Sequence, residues 1–356
     1  MSSGGLTRPR LPFPAWAGPA ERLRYFLRDA IRAPSRHNAQ PWLFDIDGDE
    51  LAVHVDARRA LKAADPSGRE ATIACGAALE NLRLSAAHHG YDVHVITRAP
   101  RRGEPLAIAR LGERRVARPE EEELFGHIAV RRTATVIGSE QVSPAVLAPL
   151  AHEMGADAML RLVPRWLARP VAELVWEADG IQWGSARYRS EVAIWSRGRP
   201  RRAGDGTAPL VPARAQAPAG FLSRLLRRAR GGHGRVEAER RIDQQTRTLL
   251  VLSTRDDGPA EWFAAGRAMQ RLLLRATASG LSVSFVSQPI EVADCRRRLR
   301  RELGDPGLPQ LLLRVGYGPS PRATPRRPVD LVLRSFASDA GVEVEVDVSD
   351  LSARAG

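Results

Sequence analysis

Hydrophobic residues recur with helical spacing in some segments of this chain and in short strand-like runs in others. Leu23, Phe26, Leu27 and Ile31 show the helical spacing of the first segment. Helices are predicted at about 19–32, 67–90, 120–131, 144–154, 167–182, 186–197, 259–279 and 291–303, and strands at about 42–46, 51–55, 91–97, 106–111, 159–163, 248–253, 281–287 and 310–315. Because the two kinds of segment alternate, we predict an α+β fold with helices packed against sheets.

Two short motifs predict local boundaries in the first half. The sequence Asp-Gly-Asp-Glu at 47–50 separates two strand-like runs and predicts a hairpin turn. The sequence Ser-Gly-Arg-Glu at 67–70 has the spacing of a capping box. We therefore expect the long helix to begin there and to end at Gly90, where glycine tolerates a left-handed helix stop.

The pattern of the first half returns in the second. The segment 76–82 runs through a helix to Gly90 and a strand, and the segment 266–272, 190 positions later, runs through a helix to Gly280 and a strand. The strand-like segments at 105–112 and 309–316 correspond in the same way. Three matching elements in one order indicate a duplication.

The duplication predicts three regions. A first domain is expected at 17–115, a second at 116–335, and a C-terminal tail at 336–356. Glycine, proline, alanine and arginine dominate residues 196–236, for which the first half has no equivalent. An insertion of this length is either a functional loop or disordered, so it is either a lid over a site or an unstructured insertion.

Composition is typical of a soluble, two-domain protein. The chain has 356 residues, of which 43% are hydrophobic, and its length alone suggests about two domains. No apolar run approaches the roughly 20 residues of a membrane helix. The N-terminus lacks the apolar stretch of a secretory signal, so we expect a cytoplasmic protein. Two cysteines, Cys75 and Cys295, make no disulfide framework, and Cys75 among small residues is expected to be a packed structural thiol.

The net charge of +13 raises nucleic acid as a partner. Only one of the 54 basic residues is a lysine, Lys62, which points to a general bias toward arginine. No nucleic-acid module is evident, and aromatic residues make up only 5% of the chain. Nucleic-acid binding is therefore the weakest functional hypothesis, although some arginines should serve an anionic ligand.

Three polar motifs lie far apart in the sequence. The first is Pro-Ser-Arg-His-Asn at 34–38, followed by Gln-Pro-Trp at 40–42; the second is Arg-Arg-Thr at 131–133; the third is Pro-Arg-Arg-Pro at 325–328. Together with the segments 65–79, 250–254, 280–292 and 311–318, they make the chain resemble the FMN-dependent nitroreductase superfamily. Within it, the chain is similar to the tandem-domain, Acg-like group of nitroreductase-like flavoproteins, over about residues 20–335.

The resemblance implies one FMN at the interface of two nitroreductase-like domains. Members of the superfamily are homodimers in which one subunit binds the phosphate and the other donates a Pro-Ser-x-x-Asn loop. The residues expected to bind the cofactor here are Arg131, Arg132, Thr133, Arg326 and Arg327 at the phosphate, Pro34, Ser35, His37 and Asn38 at the ribityl chain and ring, and Ser287 and Gln288 near flavin N5. Since the reciprocal motifs are missing, we expect a monomeric pseudo-dimer with one FMN.

The residue types agree with that implication. Arginine can bind a phosphate in bidentate fashion, and each charge-assisted hydrogen bond contributes roughly 1.5–3 kcal/mol. Arg132 and Arg327 are the first candidates and Arg131 and Arg326 the next. Alternatively, Arg131 and Arg132 cap the preceding helix, and His37 is a loop histidine without a ligand. Thr135 stands where the family commonly has another arginine, so the phosphate site is one contact short or another arginine substitutes.

The chemistry would belong to the flavin, so neither a catalytic side chain nor a metal site is expected. The His88-His89 pair has no ligand-spaced partner, and the run Glu120–Glu123 suits a helix N-terminus. We expect an oxidoreductase that takes electrons from NADPH or NADH and reduces an aromatic, nitro or quinone-like small molecule, with no membrane or nucleic-acid partner. The alternative is a lid-closed flavoprotein that sequesters or stores FMN with little or no reductase activity.

Overall fold

The structure is a computed structural model that describes residues 12–97, 100, 103–134, 136–138, 140–156, 158–196, 248–304, 307–319, 321–337 and 343–345. Helices α1–α9 are Pro19–Ala30, Arg69–His88, Pro119–Ile128, Pro144–His152, Ala168–Gly184, Ala186–Ser196, Pro259–Ala278, Gln288–Glu291 and Ala293–Leu303. Strands β1–β10 are Trp42–Asp47, Glu50–Val55, Tyr91–Thr97, Ala107–Arg114, Met159–Leu162, Leu249–Thr254, Ser282–Phe285, Leu308–Gly316, Leu333–Ala337 and Glu343–Glu345. The predicted α+β class is confirmed.

Two sheets share one strand order. The first is ordered β10-β9-β1-β2-β4-β3 and the second β5-β6-β8-β7. In each four-strand unit, the long helix, α2 or α7, connects the second strand to the third, and neighbouring strands of the unit are antiparallel. Each helix is followed by a glycine with positive φ, Gly90 at 84° and Gly280 at 70°. The local repeat read from the sequence is therefore present in the topology.

The long helices α2 and α7 cross at equivalent glycines. A Cβ atom on Gly76 would lie 2.1 Å from the carbonyl oxygen of Phe263, and one on Gly266 would lie 2.0 Å from that of Ile73. Phe263 stands three residues before Gly266, as Ile73 stands three before Gly76. The contact is thus reciprocal, and only glycine permits the two backbones to approach so closely.

Other contacts of the two long helices correspond between the two halves. Asn81 of α2 donates to the backbone oxygen of Asp29 at 3.0 Å, and Ser85 donates to the Asp29 carboxylate at 2.8 Å. At the equivalent positions of α7, Arg271 donates to the backbone oxygen of Glu153 at 2.8 Å, and Arg275 donates to the Glu153 carboxylate at 2.7 Å. The ends of α1 and α4 are therefore held by corresponding residues of the long helices.

A buried ion cluster lies beside the crossing. The Glu80 carboxylate is within 3.3 Å of Arg83, Arg267 and Arg271, which come from both long helices. Although burial opposes it, these three guanidinium groups hold the pKa of Glu80 well below its ordinary value. The largest hydrophobic core cluster also contains residues of both halves, among them Leu79 and Leu272.

Strand β9 carries the C-terminal part of the chain back to the first sheet. It pairs in parallel with β1, and β10 extends the sheet beyond it. Leu333–Ala337 therefore runs across the boundary that we predicted at 335, and Glu343–Glu345 lies in the predicted tail. The predicted insertion at 196–236 lies outside the described residues apart from the end of α6 at Ser196.

Of the local predictions, the hairpin is confirmed and the capping box is wrong. Asp47 pairs with Glu50 across the turn. The N-cap of α2 is Gly68, with φ 73° and no side-chain cap hydrogen bond. A left-handed residue is needed at this turn, so glycine takes the cap position instead of Ser67, and the Ala71 amide donates to the Asp65 carboxylate at 2.9 Å.

Both cysteines are buried free thiols, as expected for a packed Cys75. Burial raises the pKa of the Cys75 thiol well above its ordinary value, which makes it unreactive as a thiolate. In the part of the chain that the structure describes, no helix is both long and apolar enough to span a bilayer.

Candidate functional site

The loop at 34–40 adopts an unusual backbone conformation directly after α1. His37, Asn38 and Gln40 have φ angles of 49°, 53° and 52°, a region that non-glycine residues occupy at a cost. The Gln40 amide donates to the Ser35 hydroxyl at 2.9 Å, and the Gln40 side chain donates to the Asn38 carbonyl at 3.3 Å. Ser35 therefore shapes the loop from within, and such strain is often found at ligand-binding sites.

Residues of the C-terminal motif bind this loop directly. The Asn38 side-chain amide donates to the Pro325 carbonyl at 3.0 Å. The Arg327 amide donates to the Gln40 side-chain oxygen at 2.9 Å, and the Arg327 guanidinium contacts the backbone oxygens of Gln40 and Leu331. Two of the three predicted motifs, separated by almost three hundred residues, are thus joined by hydrogen bonds.

The remaining motif meets the same place from α3. Arg131 donates to the Arg32 carbonyl at 3.3 Å, and Arg326 donates to the carbonyls of Arg32 and Ala33 at 3.2 and 3.1 Å. Arg132 follows Arg131 in the chain and is half-buried. Residues of three distant segments therefore form one basic group, Arg32, Arg131, Arg132 and Arg326, which we call the arginine cluster.

Three of the four charges of the arginine cluster have no ion-pair partner among the described residues, whereas the fourth, Arg32, lies 3.8 Å from the Asp29 carboxylate. Burial first, and then the charges of Arg326 and Arg132, lower the pKa of Arg131 to about 9. Burial and the charges of Arg132 and Arg32 lower the pKa of Arg326 to about 10. Within the described ranges, Arg131, Arg132 and Arg326 form no ion pair, and the Nε atoms of Arg131 and Arg326 are buried without a hydrogen-bond partner.

An anion with several acceptor oxygens fits this arrangement. Buried like charges destabilise one another unless a counter-charge is present, and buried donors need acceptors. A phosphate monoester supplies about −1.5 to −2 charges and three acceptor oxygens. The arginine cluster is therefore suited to the phosphate of a cofactor such as FMN, with the loop at 34–40 beside it.

A second group of residues links the loop to the strand-helix junction of the second half. Arg36 donates to Glu70 at 3.3 Å and to the Tyr188 hydroxyl at 3.1 Å, and it forms an ion pair with Glu291. Glu291 ends α8, the short helix that begins at Gln288. Arg36 thus connects the loop at 34–40 to α8, the helix that begins at Gln288. The sequence reading missed this role because it treated Arg36 as a variable position within its motif.

A half-buried acid of α5, Asp179, contacts this junction. Gln288 and Trp183 donate hydrogen bonds to the Asp179 carboxylate, but burial prevails and raises the pKa of Asp179. The side-chain oxygen of Gln288 is buried with no hydrogen-bond partner among the described residues. Burial and the charge of Arg36 lower the pKa of His37 to about 3, so His37 is neutral at physiological pH. Its Nε2 atom is also buried without a partner in the described part of the chain.

Several of the residues predicted to bind the cofactor make local contacts within the protein. Arg132 donates to the carbonyls of Ala129, the C-cap of α3, and Arg131 at 2.9 and 2.8 Å, as in the alternative capping interpretation. Thr133 is exposed and accepts from Arg131 at 3.4 Å. Pro34 is buried, and Ser287 is the N-cap of α8. Thr135 lies outside the described residues.

The histidine pair is engaged in packing. His88 contacts Glu122 at 2.7 Å and stacks on Phe125, with ring centroids 3.9 Å apart. His89 stacks on Phe13, with centroids 4.2 Å apart. Among the residues that the structure describes, no group of three or more potential ligands could hold a metal ion.

The fold and the site together define an α+β protein with a basic, partly buried arginine cluster beside a strained loop. The chain is similar to two Mycobacterium tuberculosis proteins. One, named "Putative NAD(P)H nitroreductase Rv3131", is 31% identical over 88% of this chain and 91% of the relative. The other, named "Putative NAD(P)H nitroreductase acg", is 29% identical over 87% of this chain and 94% of the relative. The chain belongs to this nitroreductase family, which confirms the resemblance inferred from the motifs.

The other comparisons add little to this assignment. No protein-family model matches the chain. Among solved structures, the FMN and NADPH-dependent nitroreductase NfnB from sphigopyxis sp. strain HMH is 18% identical, with a TM-score of 0.37, over 59% of this chain and 96% of that one. The assignment to the family rests on the sequence relatives.

Proposed function

We propose that this protein binds FMN between its two halves and catalyses the NAD(P)H-dependent reduction of an aromatic, nitro or quinone-like acceptor. The observation that carries the proposal is the arginine cluster, where Arg131 and Arg326 converge on the carbonyl of Arg32. Its buried, uncompensated charge matches a phosphate, and the named relatives are NAD(P)H nitroreductases. An FMN at this site would supply hydride-transfer chemistry.

The residues around the cluster would bind and orient the cofactor. Arg131 and Arg326 would contact the phosphate through donors that have no other partner. Arg327 already bonds to the backbone of the loop, so we assign it to holding the loop in place. The neutral His37 and the amide of Asn38 would contact the ribityl chain or ring edge. Ser287 and Gln288 would lie near the reacting edge, where Gln288 also donates to the Asp179 carboxylate.

We infer that the two halves form an intramolecular pseudo-dimer of domains at 17–115 and 116–335. The shared strand order and the reciprocal approach of Gly76 and Gly266 support this reading. Such a fused pair resembles a twofold dimer, in which the same surface contacts itself. Strand β9 would then be an extension of the second domain that adds a strand to the sheet of the first domain by pairing with β1.

One specific observation favours the alternative of a covered, FMN-storing site. Helix α6 packs on the first half: the amides of Ala63 and Ala64 donate to Glu191 at 3.0 and 2.8 Å, and Arg59 lies 5.2 Å from the ring of Trp195. Tyr188 of the same helix contacts Arg36 next to the loop. A lid formed by α6 would restrict access of an electron donor to the loop at 34–40.

Rapid anaerobic mixing distinguishes the two roles. We expect the purified protein to carry a yellow chromophore that bleaches promptly with NADPH or NADH. No bleaching in the intact protein, but bleaching after deletion of residues 200–235, would favour storage under a lid. The variant Arg326→Ala should lose the flavin, whereas Arg322→Ala, an exposed arginine in the same segment, should retain it. A wild-type protein that neither purifies with FMN nor binds it would refute the proposed function.

A further inference from the structure

Arg32 lies at the centre of the arginine cluster but belongs to none of the three motifs. Its carbonyl oxygen accepts hydrogen bonds from both Arg131 and Arg326. The residue follows the C-terminal end of α1, immediately before the loop at 34–40. Arg32 is thus the residue of the first half that both arginine-bearing segments of the second half contact.

The side chain of Arg32 is also placed to reach an anion. It is 41% exposed, and its Nε atom lies 3.8 Å from Asp29, beyond hydrogen-bonding distance. The Asp29 carboxylate already accepts from Ser85 at 2.8 Å. Burial lowers the pKa of Arg132 and of Arg326, and the charge of Arg32 lowers both further, in agreement with the contact of Arg326 with the Arg32 carbonyl.

We propose that Arg32 is an additional phosphate ligand, which closes the site from the first half and selects a phosphorylated flavin over an unphosphorylated one. The inference rests on the proposed function, because it assumes that a flavin phosphate is the anion. A phosphate held by Arg131 and Arg326 alone would contact only the second half. With Arg32 the phosphate would be bound by residues of both halves.

The test compares FMN with riboflavin, which lacks the phosphate. Apoprotein is titrated with each flavin, and the dissociation constant is measured from the quenching of flavin fluorescence. For Arg32→Ala we expect FMN binding to weaken about tenfold to a hundredfold, as for the loss of one charge-assisted hydrogen bond, with riboflavin binding unchanged. Arg32→Lys, which keeps the charge, should lie between the wild type and Arg32→Ala.

Arg28 provides the matched control. It stands one turn earlier on α1, and its guanidinium lies 4.8 Å from the ring of Tyr25; Arg28→Ala should change the affinity for neither flavin. If Arg32→Ala weakens both flavins equally, or neither, the assignment of Arg32 is overturned while the proposed function stands. If the wild-type apoprotein binds neither flavin, the proposed function fails and the inference fails with it.

Discussion

Replacing Gly266 by alanine tests the close crossing of the two long helices. The new Cβ atom would lie 2.0 Å from the carbonyl oxygen of Ile73 and 2.8 Å from its carbon. The obstacle is backbone, so no side-chain rotation can relieve it. The helices would have to separate by roughly 1.5 Å to restore normal van der Waals contact. The same argument applies to Gly76, which faces the carbonyl of Phe263 at 2.1 Å.

The expected loss is the balance of two effects. Alanine is favoured over glycine inside a helix by about 0.5–1 kcal/mol. Overpacking a well-packed core costs about 1–3 kcal/mol and occasionally more, and a contact between two rigid backbones belongs at the upper end. We therefore expect Gly266→Ala to lower the free energy of unfolding by about 2–3 kcal/mol. Flavin retention should also fall, since the proposed site requires both halves.

Urea unfolding monitored by circular dichroism measures this loss. Gly180 is the control, because it lies inside α5 with nothing within 4 Å of its added Cβ, so Gly180→Ala should be neutral or stabilising. The double variant Gly76→Ala/Gly266→Ala should lose less than the sum of the single losses, since the first alanine already separates the helices. If Gly266→Ala is as stable as Gly180→Ala, the reciprocal crossing is refuted.

Four further variants test the site and the ion cluster. Arg131→Ala should weaken FMN binding at least a hundredfold, and Thr133→Ala only a few-fold, as measured by flavin titration; equal effects would contradict the ranking. Asn38→Ala breaks the bond to Pro325 and should weaken FMN binding about tenfold at most. Glu80→Gln should destabilise the protein by about 3–5 kcal/mol, because three buried guanidinium groups lose their carboxylate. Since the folded-state pKa of Glu80 is lowered, its contribution to the free energy of unfolding is present above its ordinary pKa of about 4.3 and is lost as the pH falls through the lowered value. The free energy of unfolding of Glu80→Gln should therefore fall less steeply with decreasing pH than that of the wild type.

Local signals predicted the elements of this fold well. Helical spacing located α1, and the glycine stops located the ends of α2 and α7, because these features depend on neighbouring residues. The parallel pairing of β9 with β1 was not predicted. That pairing depends on where the chain returns after the second half, and five residues of a partly exposed strand carry no periodic signal that specifies a partner.

The site was predictable only in part for the same reason. The resemblance indicated that the motifs at 34–38, 131–133 and 325–328 should meet. A hydrogen bond joins the first to the third, while Arg131 and Arg326 both donate to the carbonyl of Arg32, just before the first motif. The contacts of Arg32 and Arg36 are with residues 99 or more positions away, such as Arg131, Glu291 and Tyr188. In a chain with so many arginines, residue type alone does not single these two out.

The contacts that hold the ends of α1 and α4 bear on the proposal that the two halves share one flavin. Asn81 and Ser85 hold the end of α1 through short side chains, and the chain continues from there into Arg32 and the strained loop. At the equivalent place, Arg271 and Arg275 hold the end of α4, and the chain passes through Gly155 at φ 65° toward β5. Two arginines on α7 are therefore engaged by Glu153 where the first half carries uncharged residues. An anion at this second position would have to compete with the carboxylate of Glu153, whereas at the arginine cluster it would meet positive charge that Arg131 and Arg326 leave unpaired in the described ranges.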